Sequence, residues 1–288
     1  MKVKTAIIPV AGMGTRFLPV TKAQPKEMLS VVDKPVIQYI VEEAVEAGIE
    51  TVIFVTALGK RAIEDHFDRN FELEYQLKQK GKDSLLAEIK SVENLANFAF
   101  VRQRKPLGDG HALLSALPLV GDEPVAILFG DDIIDLNRSA IGELIETYNR
   151  VNAPVLAVKK VARKDVFQYG VIDGQKKGKK EWLVKNFVEK PEPKETPSTE
   201  AVVGRYVITP EVFDILRTQK PGKDGEIRLA DAFITYIQNG GNLYARSFEG
   251  VRYDCGNKLD FVKAQIEIGL KHPEIKSGLK SYLKNRFK

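Results

Sequence analysis

Two cationic side chains follow a short apolar strand near the start of the chain, in a setting suited to phosphate chemistry. Residues 4–10 (KTAIIPV) predict a buried strand, and residues 11–16 (AGMGTR) continue it into a turn with two glycines and an arginine. A second cluster, residues 25–29 (PKEML), adds a lysine. Glycines let backbone N–H groups approach phosphate oxygens, and two cations neutralise the charge that develops during phosphoryl transfer. The pattern therefore predicts a triphosphate-binding loop.

Other glycine-loop motifs fit these residues less well. A dinucleotide-binding fingerprint needs glycine at the first, third and sixth places, but the sixth place counted from Gly12 is Phe17. A Walker A loop needs Gly-Lys followed by Ser or Thr, and that run does not follow here. If the Gly-x-Gly is taken alone, the interpretation as an ordinary strand-to-helix turn is not excluded.

Carboxylates follow two further strands. Residues 125–130 predict an apolar strand that ends in Asp131 and Asp132, and Asp254 lies past a strand within residues 252–258 (RYDCGNK). Ligands of α/β sheets bind beyond the carboxyl ends of strands, where one or two carboxylates can hold Mg²⁺ against phosphates. Taken alone, either segment could instead cap the turn or helix that follows it.

Two more segments carry groups suited to reading a base and a sugar. Gln103 precedes a glycine loop (residues 105–112), and its amide can pair with both a carbonyl and an N–H of a base edge. Glu189 and Lys190 end another strand, where they could meet sugar hydroxyls and a sugar phosphate; the plainer interpretation is a surface ion pair worth under about 1 kcal/mol. We assign His111 to packing or capping, which is the more frequent role of a histidine at a helix start.

Together these segments resemble the signature of the sugar-phosphate nucleotidyltransferases. The matching runs are residues 10–19 (VAGMGTRFLP), 25–29 (PKEML), 169–171 (YGV), 189–191 (EKP) and 203–206 (VGRY), with the segments around Asp131 and Asp254. They follow the family order from residue 9 to about residue 258. The resemblance implies an α/β, Rossmann-like fold of three layers around a mixed, mostly parallel sheet. The resemblance also implies inserted sugar-binding hairpins and a helical C-terminal extension.

The resemblance also implies a reaction: transfer of the uridylyl group of UTP to α-D-glucose 1-phosphate, giving UDP-glucose and pyrophosphate. The anionic sugar phosphate attacks the α-phosphorus in line, with Mg²⁺ as cofactor and without a covalent enzyme intermediate. The implied catalytic residues are Arg16, Lys26 and Lys190, and the implied metal ligands are Asp131 and Asp254, with Asp132 less certain. The implied nucleotide-binding residues are Ala11, Gly12, Gly14, Thr15, Glu27, Gln103 and Gly108, and the implied sugar-binding residues are Gly170, Glu189 and Gly204.

Alternating strand-like and helix-like segments must position these residues. Continuous apolar runs predict buried, mostly parallel strands at residues 5–10, 51–56, 99–103, 125–129 and 154–158. Later strands, in hairpins or long excursions, are predicted at residues 169–172, 182–189 and 201–208, with one more at residues 242–247. Helices are predicted at residues 36–47, 71–95 (interrupted at Gly81), 211–217, 229–238, 258–270 and 275–285.

These elements suggest one catalytic domain over residues 1–258, with a sugar-binding lobe at about residues 160–210 and a helical extension over residues 259–288. The extension could form a dimer face or pack within the chain, since it offers Ile266, Leu270, Leu279 and Leu283. The family forms dimers or tetramers, so we expect a homo-oligomer.

Composition narrows the class of protein. A chain of 288 residues that is 43% hydrophobic can bury a large core, and no apolar run approaches the ~20 residues of a membrane span. The single Cys255 rules out an intrachain disulfide, suits a reducing cytoplasm and leaves no set of soft ligands for zinc. The net charge of +5 lies largely in residues 176–180 and 263–288, without interleaved aromatic residues. We therefore expect no nucleic-acid and no membrane partner.

Three alternatives stay open from the sequence. A sister enzyme with another base or sugar, such as dTTP or N-acetylglucosamine 1-phosphate, would share the phosphate motifs and differ around Gln103, Glu189 and Gly204. A non-catalytic nucleotide-sugar sensor would bind the product without turnover. A nucleic-acid binder would show a salt-sensitive mobility shift.

Overall fold

The computed structural model describes residues 2–135 and 138–287, in which strands and helices alternate. The strands are β1 (Thr5–Pro9), β2 (Ser30–Val31), β3 (Lys34–Pro35), β4 (Thr51–Thr56), β5 (Asn97–Arg102), β6 (Val125–Leu128), β7 (Asp132–Asp135), β8 (Val155–Lys160), β9 (Gly170–Lys176), β10 (Glu181–Glu189), β11 (Glu200–Ile208), β12 (Leu243–Ser247) and β13 (Val251–Asp254). The α-helices are α1 (Val36–Glu46), α2 (Arg61–Phe67), α3 (Phe71–Gln79), α4 (Asp83–Glu93), α5 (Asp109–Val120), α6 (Ala140–Val151), α7 (Pro210–Thr218), α8 (Leu229–Gln238), α9 (Lys258–Gly269) and α10 (Lys276–Arg286).

Within the described residues, nine strands form one sheet in the order β5-β4-β1-β6-β11-β8-β12-β10-β9. The first four strands run parallel to one another. Strand β11 is antiparallel to both of its neighbours, β6 and β8, while β8 and β12 pair in parallel. Strands β9 and β10 form an antiparallel hairpin at the far end of this order, and β9 also pairs with β11, where Val171 lies opposite Ala201. The sheet is therefore mixed, with a continuous parallel half, as the resemblance implied.

Helices cover both faces of this sheet. Successive residues of β1 point to opposite faces, so Ala6 and Ile8 pack in a core with α1 and α6, while Ile7 packs in a second core with α5, α7 and α8. All three residues are fully buried, which explains why β1 reads as a continuous apolar run. The predicted three-layer arrangement is confirmed.

The predicted helices and strands are confirmed, with small differences at their ends. Gly48 and Gly81 follow α1 and α3 with φ of 87° and 63°, a left-handed conformation that suits glycine after a helix. The lysine run of residues 176–180 lies at the turn between β9 and β10. Among residues 2–135 and 138–287, no helix has both the length and the apolar character that crossing a membrane requires.

A pairing that the sequence pattern did not predict joins β7 to β13. The two strands are antiparallel, and Asp132 lies opposite Asp254. Helix α9 then begins after Asn257, whose side-chain oxygen accepts hydrogen bonds from the backbone N–H groups of Leu259 and Asp260. Because Asn257 caps this helix, Asp254 is left available for another role.

Candidate active site

The glycine loop after β1 packs onto the turn that carries Lys26. Gly14 has a φ of 65°, and a Cβ built on it would lie 3.1 Å from Cβ of Lys26 and 3.2 Å from Cγ2 of Thr21. The Thr21 hydroxyl also donates a hydrogen bond of 2.8 Å to the Gly14 carbonyl. Glycine is therefore required at position 14 both by its conformation and by the close approach of the second cluster.

Lys26 and Asp131 form an ion pair at the carboxyl end of β6. The Lys26 Nζ lies 2.5 Å from Oδ2 of Asp131, and both side chains are largely buried. Burial disfavours the charged form of both groups, but the attraction between them is stronger. Lys26 lowers the pKa of Asp131, and Asp131 with Glu27 raises the pKa of Lys26. The lysine is therefore held charged beside the glycine loop, ready for a phosphate oxygen.

Asp131 and Asp254 converge on Gly256. A Cβ built on Gly256 would lie 2.9 Å from Oδ2 of Asp131, 2.9 Å from Oδ1 of Asp254 and 3.6 Å from Nη1 of Arg16. Burial, and then the carboxylates of Asp132 and Asp131, raise the pKa of Asp254, with Arg252 opposing them. Two carboxylate oxygens around a space kept open by glycine are a setting that a hard divalent cation would stabilise.

This pair of carboxylates is a partial ligand set. No group of three or more His, Cys, Asp or Glu side chains suited to a metal occurs in the described parts of the chain. A Mg²⁺ ion bound here would take its other ligands from substrate phosphates and water, as Mg²⁺ commonly does. The residues present therefore fit the predicted ion.

Asp132 points into the fold. Its Oδ1 lies 2.6 Å from Nη2 of Arg252, and its Oδ2 accepts a hydrogen bond of 3.3 Å from the Gly204 N–H. The Arg252 guanidinium also lies over the ring of Tyr169, 5.7 Å from its centroid. Asp132 thus links β7 to two other strands. The sequence reading missed Arg252, because a lone arginine in a short strand gives no signal.

Glu27 forms a buried ion pair with Lys60. Its Oε2 accepts a hydrogen bond of 2.8 Å from the Lys60 Nζ, and the glutamate is 1% exposed. Burial raises the pKa of Glu27, while Lys60 and Lys26 work against that rise. Lys60 lies in the loop between β4 and α2. The ion pair therefore joins the turn that carries Lys26 to this loop. The sequence pattern gave no hint of Lys60.

The amide of Gln103 has a fixed orientation. Its Nε2 donates to the Gly108 carbonyl at 3.0 Å and lies 3.0 Å from Nδ1 of His111. Because the amide nitrogen faces a carbonyl oxygen, the amide oxygen is the group that Gln103 can offer to a base. Gly108 has a φ of 97°, and a Cβ there would lie 2.5 Å from the Ile227 carbonyl oxygen. His111 thus helps to orient Gln103.

The hairpin β9–β10 carries two of the three predicted sugar-binding residues, Gly170 and Glu189. A Cβ on Gly170 would lie 2.9 Å from Oε2 of Glu189, so the two residues face the same space. Lys190 lies 3.7 Å from Glu189 and adopts a left-handed φ of 47°. The backbone N–H of Lys190 donates a hydrogen bond of 2.9 Å to the Tyr169 carbonyl. A non-glycine residue in this conformation is uncommon, and such residues cluster at functional sites.

Three cavities of about 360, 310 and 380 Å³ adjoin one another and form a cleft. The first two share Ala11, Gly12 and Gln103, and the last two share Gly108 and Phe129. Of the predicted site residues, the cleft is lined by Ala11, Gly12, Lys26, Glu27, Gln103, Gly108, Asp131, Gly170 and Glu189. The cleft therefore joins the glycine loop to the β9–β10 hairpin.

The other predicted site residues do not line these three cavities; they are Gly14, Thr15, Arg16, Lys190, Gly204 and Asp254. Thr15 and Arg16 form an exposed 3-10 turn directly after the glycine loop. Gly204 lies behind the wall of the cleft, where its Cβ would meet Cβ of Phe129 at 2.7 Å.

Glu226 lines the two adjoining cavities at the sugar end and was missed from the sequence. Its loop is tied to the loop of Gly108, since the Ile227 N–H donates to the Leu107 carbonyl at 2.7 Å and the Gly110 N–H donates to the Ile227 carbonyl at 2.9 Å. Such a contact between distant loops leaves no periodic pattern in the sequence.

Comparison with known proteins agrees with this geometry. Residues 5–269 match the family described as Nucleotidyl transferase. A UTP–glucose-1-phosphate uridylyltransferase of Staphylococcus epidermidis is 50% identical over 283 residues, which is 98% of this chain and 98% of that protein. One of Streptococcus pyogenes is 48% identical over 287 residues, which is 98% of this chain and 94% of that protein.

Solved structures are similar over almost the whole chain. The UTP-bound UGPase from Acinetobacter baumannii is 40% identical and superposes with a TM-score of 0.92, covering 98% of both chains. A UDP-glucose pyrophosphorylase complexed with UDP-glucose is 39% identical with a TM-score of 0.85, covering 94% of this chain and 100% of that chain.

Proposed function

This chain belongs to the nucleotidyl transferase family, and we propose that it transfers the uridylyl group of UTP to α-D-glucose 1-phosphate, giving UDP-glucose and pyrophosphate. The observation that carries the proposal is the meeting of Lys26, Asp131 and Asp254 beside the glycine loop, at one end of a cleft whose other end holds Glu189. Relatives that carry this activity in their names match the chain over its full length.

The glycine loop and two cations bind the triphosphate. The N–H groups around Gly12 and Gly14, with Thr15 and Arg16, stabilise the departing pyrophosphate. Lys26 neutralises charge on the triphosphate and exchanges its contact with Asp131 for one with a phosphate oxygen.

Asp131 and Asp254 would hold Mg²⁺. When bound there, the ion neutralises charge on the reacting phosphates. The chain contributes two carboxylates whose positions are fixed by the β7–β13 pair.

The base lies over Ala11 and against Gln103 and Gly108, where the amide oxygen of Gln103 accepts the N–H of the uracil edge. The hexose lies against Gly170, with Glu189 bridging its hydroxyls and Gly204 supporting the wall of the cleft. Glu27 keeps the Lys26 turn in place through its pair with Lys60.

Lys190 orients the sugar phosphate, whose anionic oxygen attacks the α-phosphorus in line with the leaving pyrophosphate. No covalent enzyme intermediate forms, because the nucleophile is already ionised. Catalysis then consists of positioning and charge neutralisation.

The test is pyrophosphate release with Mg²⁺, glucose 1-phosphate and UTP, dTTP, ATP, CTP or GTP in separate assays. We expect rapid release with UTP alone. Equal release with dTTP would contradict specificity for UTP. It would give no support for a role of Gln103 in choosing uracil, since thymine presents the same N–H. Absence of release with every nucleotide and every sugar 1-phosphate would contradict the proposal and favour a nucleotide-sugar sensor.

We further propose that the protein works in the cytoplasm as a homo-oligomer. Its Cys255 is free and buried, which suits a reducing compartment, and α9 exposes the apolar side chains of Leu259 and Val262. Sedimentation of the purified protein tests the assembly, and a monomer at assay concentration would contradict it.

The division into a catalytic domain (residues 1–258), a sugar-binding lobe (about 160–210) and an extension (259–288) stays a prediction that limited proteolysis can test.

A further inference from the structure

Arg205 is fully buried and takes no part in the reaction proposed above. Its side chain is 0% exposed and forms an ion pair with Glu43 of α1. Nε and Nη2 donate to Oε2 of Glu43 at 3.0 and 2.7 Å. A buried guanidinium needs partners for its donors, and the partners of the remaining donors indicate what this ion pair does.

The other contacts of Arg205 reach the backbone at both ends of the site. Nη1 donates to the Gly204 carbonyl at 3.0 Å, and Nη2 donates to the Asp132 carbonyl at 2.6 Å. Gly204 is the glycine behind the hexose end of the cleft, and Asp132 directly follows the metal-binding Asp131. One planar group therefore fixes these two backbone segments relative to each other.

A β-bulge aims Arg205 into the fold. The register of β11 against β8 shifts between Val203 and Tyr206, so Gly204 and Arg205 leave that ladder. The freed Gly204 N–H donates to Oδ2 of Asp132 at 3.3 Å. The Gly204 carbonyl accepts from the Phe129 N–H at 2.9 Å. Bulges beside active sites redirect side chains in this way.

We propose that Arg205 is a positioning residue: held by Glu43, it fixes the spacing between the Asp131 segment and the Gly204 segment. That spacing sets how tightly the cleft binds the sugar phosphate beside the α-phosphorus. The substrate named in this inference rests on the proposed function. Lysine cannot replace this arginine, because one ammonium nitrogen cannot span a carboxylate and two separate carbonyls.

Three variants test the inference. Arg205→Lys keeps the charge and loses the planar contacts. The double variant Arg205→Met/Glu43→Leu replaces the whole buried pair with apolar side chains, a change that buried ion pairs commonly tolerate without loss of the fold. The matched control is Arg246→Lys, since Arg246 is a mostly buried arginine paired with Glu143 and located away from the cleft.

We expect both Arg205 variants to raise the KM for glucose 1-phosphate about tenfold or more, while the KM for UTP stays within about twofold. Calorimetry without turnover gives a second measurement. The affinity advantage of UDP-glucose over UDP falls by about the same factor in the Arg205 variants and is unchanged in Arg246→Lys. If Arg205→Lys fails to fold, the KM values and the affinity ratio are measured on the double variant alone.

Folded variants with an unchanged KM for glucose 1-phosphate and an unchanged UDP-glucose to UDP affinity ratio would overturn the inference. Failure of the proposed function is seen separately, since it requires that the unmutated protein release no pyrophosphate. In that case the hydrogen-exchange rate of the Phe129 amide still tests the role of Arg205. Faster exchange in the ligand-free double variant supports the role of Arg205, and equal protection rejects it.

Discussion

The two ends of the cleft differ in how firmly their charged groups are held. At the phosphate end, the side chains of Lys26 and Asp131 are 20% and 24% exposed and contact each other at 2.5 Å. At the sugar end, Lys190 and Glu189 are 62% and 50% exposed, and their charged groups are 3.7 Å apart. The phosphate end is therefore organised before substrate arrives, while the substrate itself must complete the sugar end.

Sheet position explains this difference. The phosphate end lies at the carboxyl ends of β1 and β6, which are flanked by strands on both sides and buried on both faces. The sugar end lies on the β9–β10 hairpin at the edge of the sheet. Fixed groups suit electrostatic stabilisation of a transition state, and a more exposed edge suits entry and recognition of a sugar. The following predictions test this contrast.

Asp131→Asn should have the largest effect, because it removes the proposed metal ligand and the partner of Lys26 together. We expect turnover to fall about a thousandfold, measured by pyrophosphate release at saturating substrates. Asp135→Asn, on the adjoining β7, is the control and should stay within about twofold. A fall of less than about tenfold for Asp131→Asn would show that the phosphate end does not depend on this carboxylate.

Lys190→Ala should lower turnover about a hundredfold and leave UTP binding within about twofold, because Lys190 belongs to the sugar end. UTP affinity by calorimetry and turnover at saturating glucose 1-phosphate give the two values. The exposed Lys185 of the preceding strand β10 provides the control variant Lys185→Ala. Lost UTP binding with intact turnover would contradict the assignment and the contrast.

Gly170→Ala should act on sugar recognition alone. Its Cβ would lie 2.3 Å from Cζ of Phe187 and 2.9 Å from Oε2 of Glu189, so these side chains must move. We expect a KM for glucose 1-phosphate that is about tenfold higher, with the KM for UTP unchanged. Gly178→Ala is the matched control, since a Cβ there meets nothing within 4 Å. Equal kinetics for the two variants would argue against a hexose at Gly170.

Lys26→Met should destabilise the fold in a pH-dependent way, by about 1–2 kcal/mol near pH 7. In the unmutated protein Lys26 holds the pKa of Asp131 below its ordinary value of 3.8, so this stability is present above that value and is lost as pH falls. In the variant, burial raises the Asp131 pKa instead, and ionisation then opposes folding. The loss of stability should therefore grow from pH 4 to pH 7, as measured by urea unfolding. A loss that is independent of pH would show that the pair adds no electrostatic stability.

The sequence predicted much of the fold because its strands are buried on both faces and are therefore continuous in apolar residues, as in residues 5–10 and 51–56. It also indicated the chemistry of Asp131, which follows such a strand, and of Lys26, which lies in the cluster after the glycine turn. Lys60, Arg205 and Arg252 could not be found in this way. Each acts through a partner far away in the sequence, and a single charged residue leaves no periodic signal.

The sequence by itself determined the alternation of strands and helices, the glycine turn and the order of the motifs, because these depend on neighbouring residues and on backbone conformation. The tertiary structure decided which carboxylate faces the cleft. Asp131 meets Lys26 and Gly256, while Asp132, the next residue, turns to Arg252 and Gly204. Asp131 ends the turn before β7 and Asp132 begins that strand, so only the pairing of β7 with β13 and the bulge in β11 determine what lies around each carboxylate.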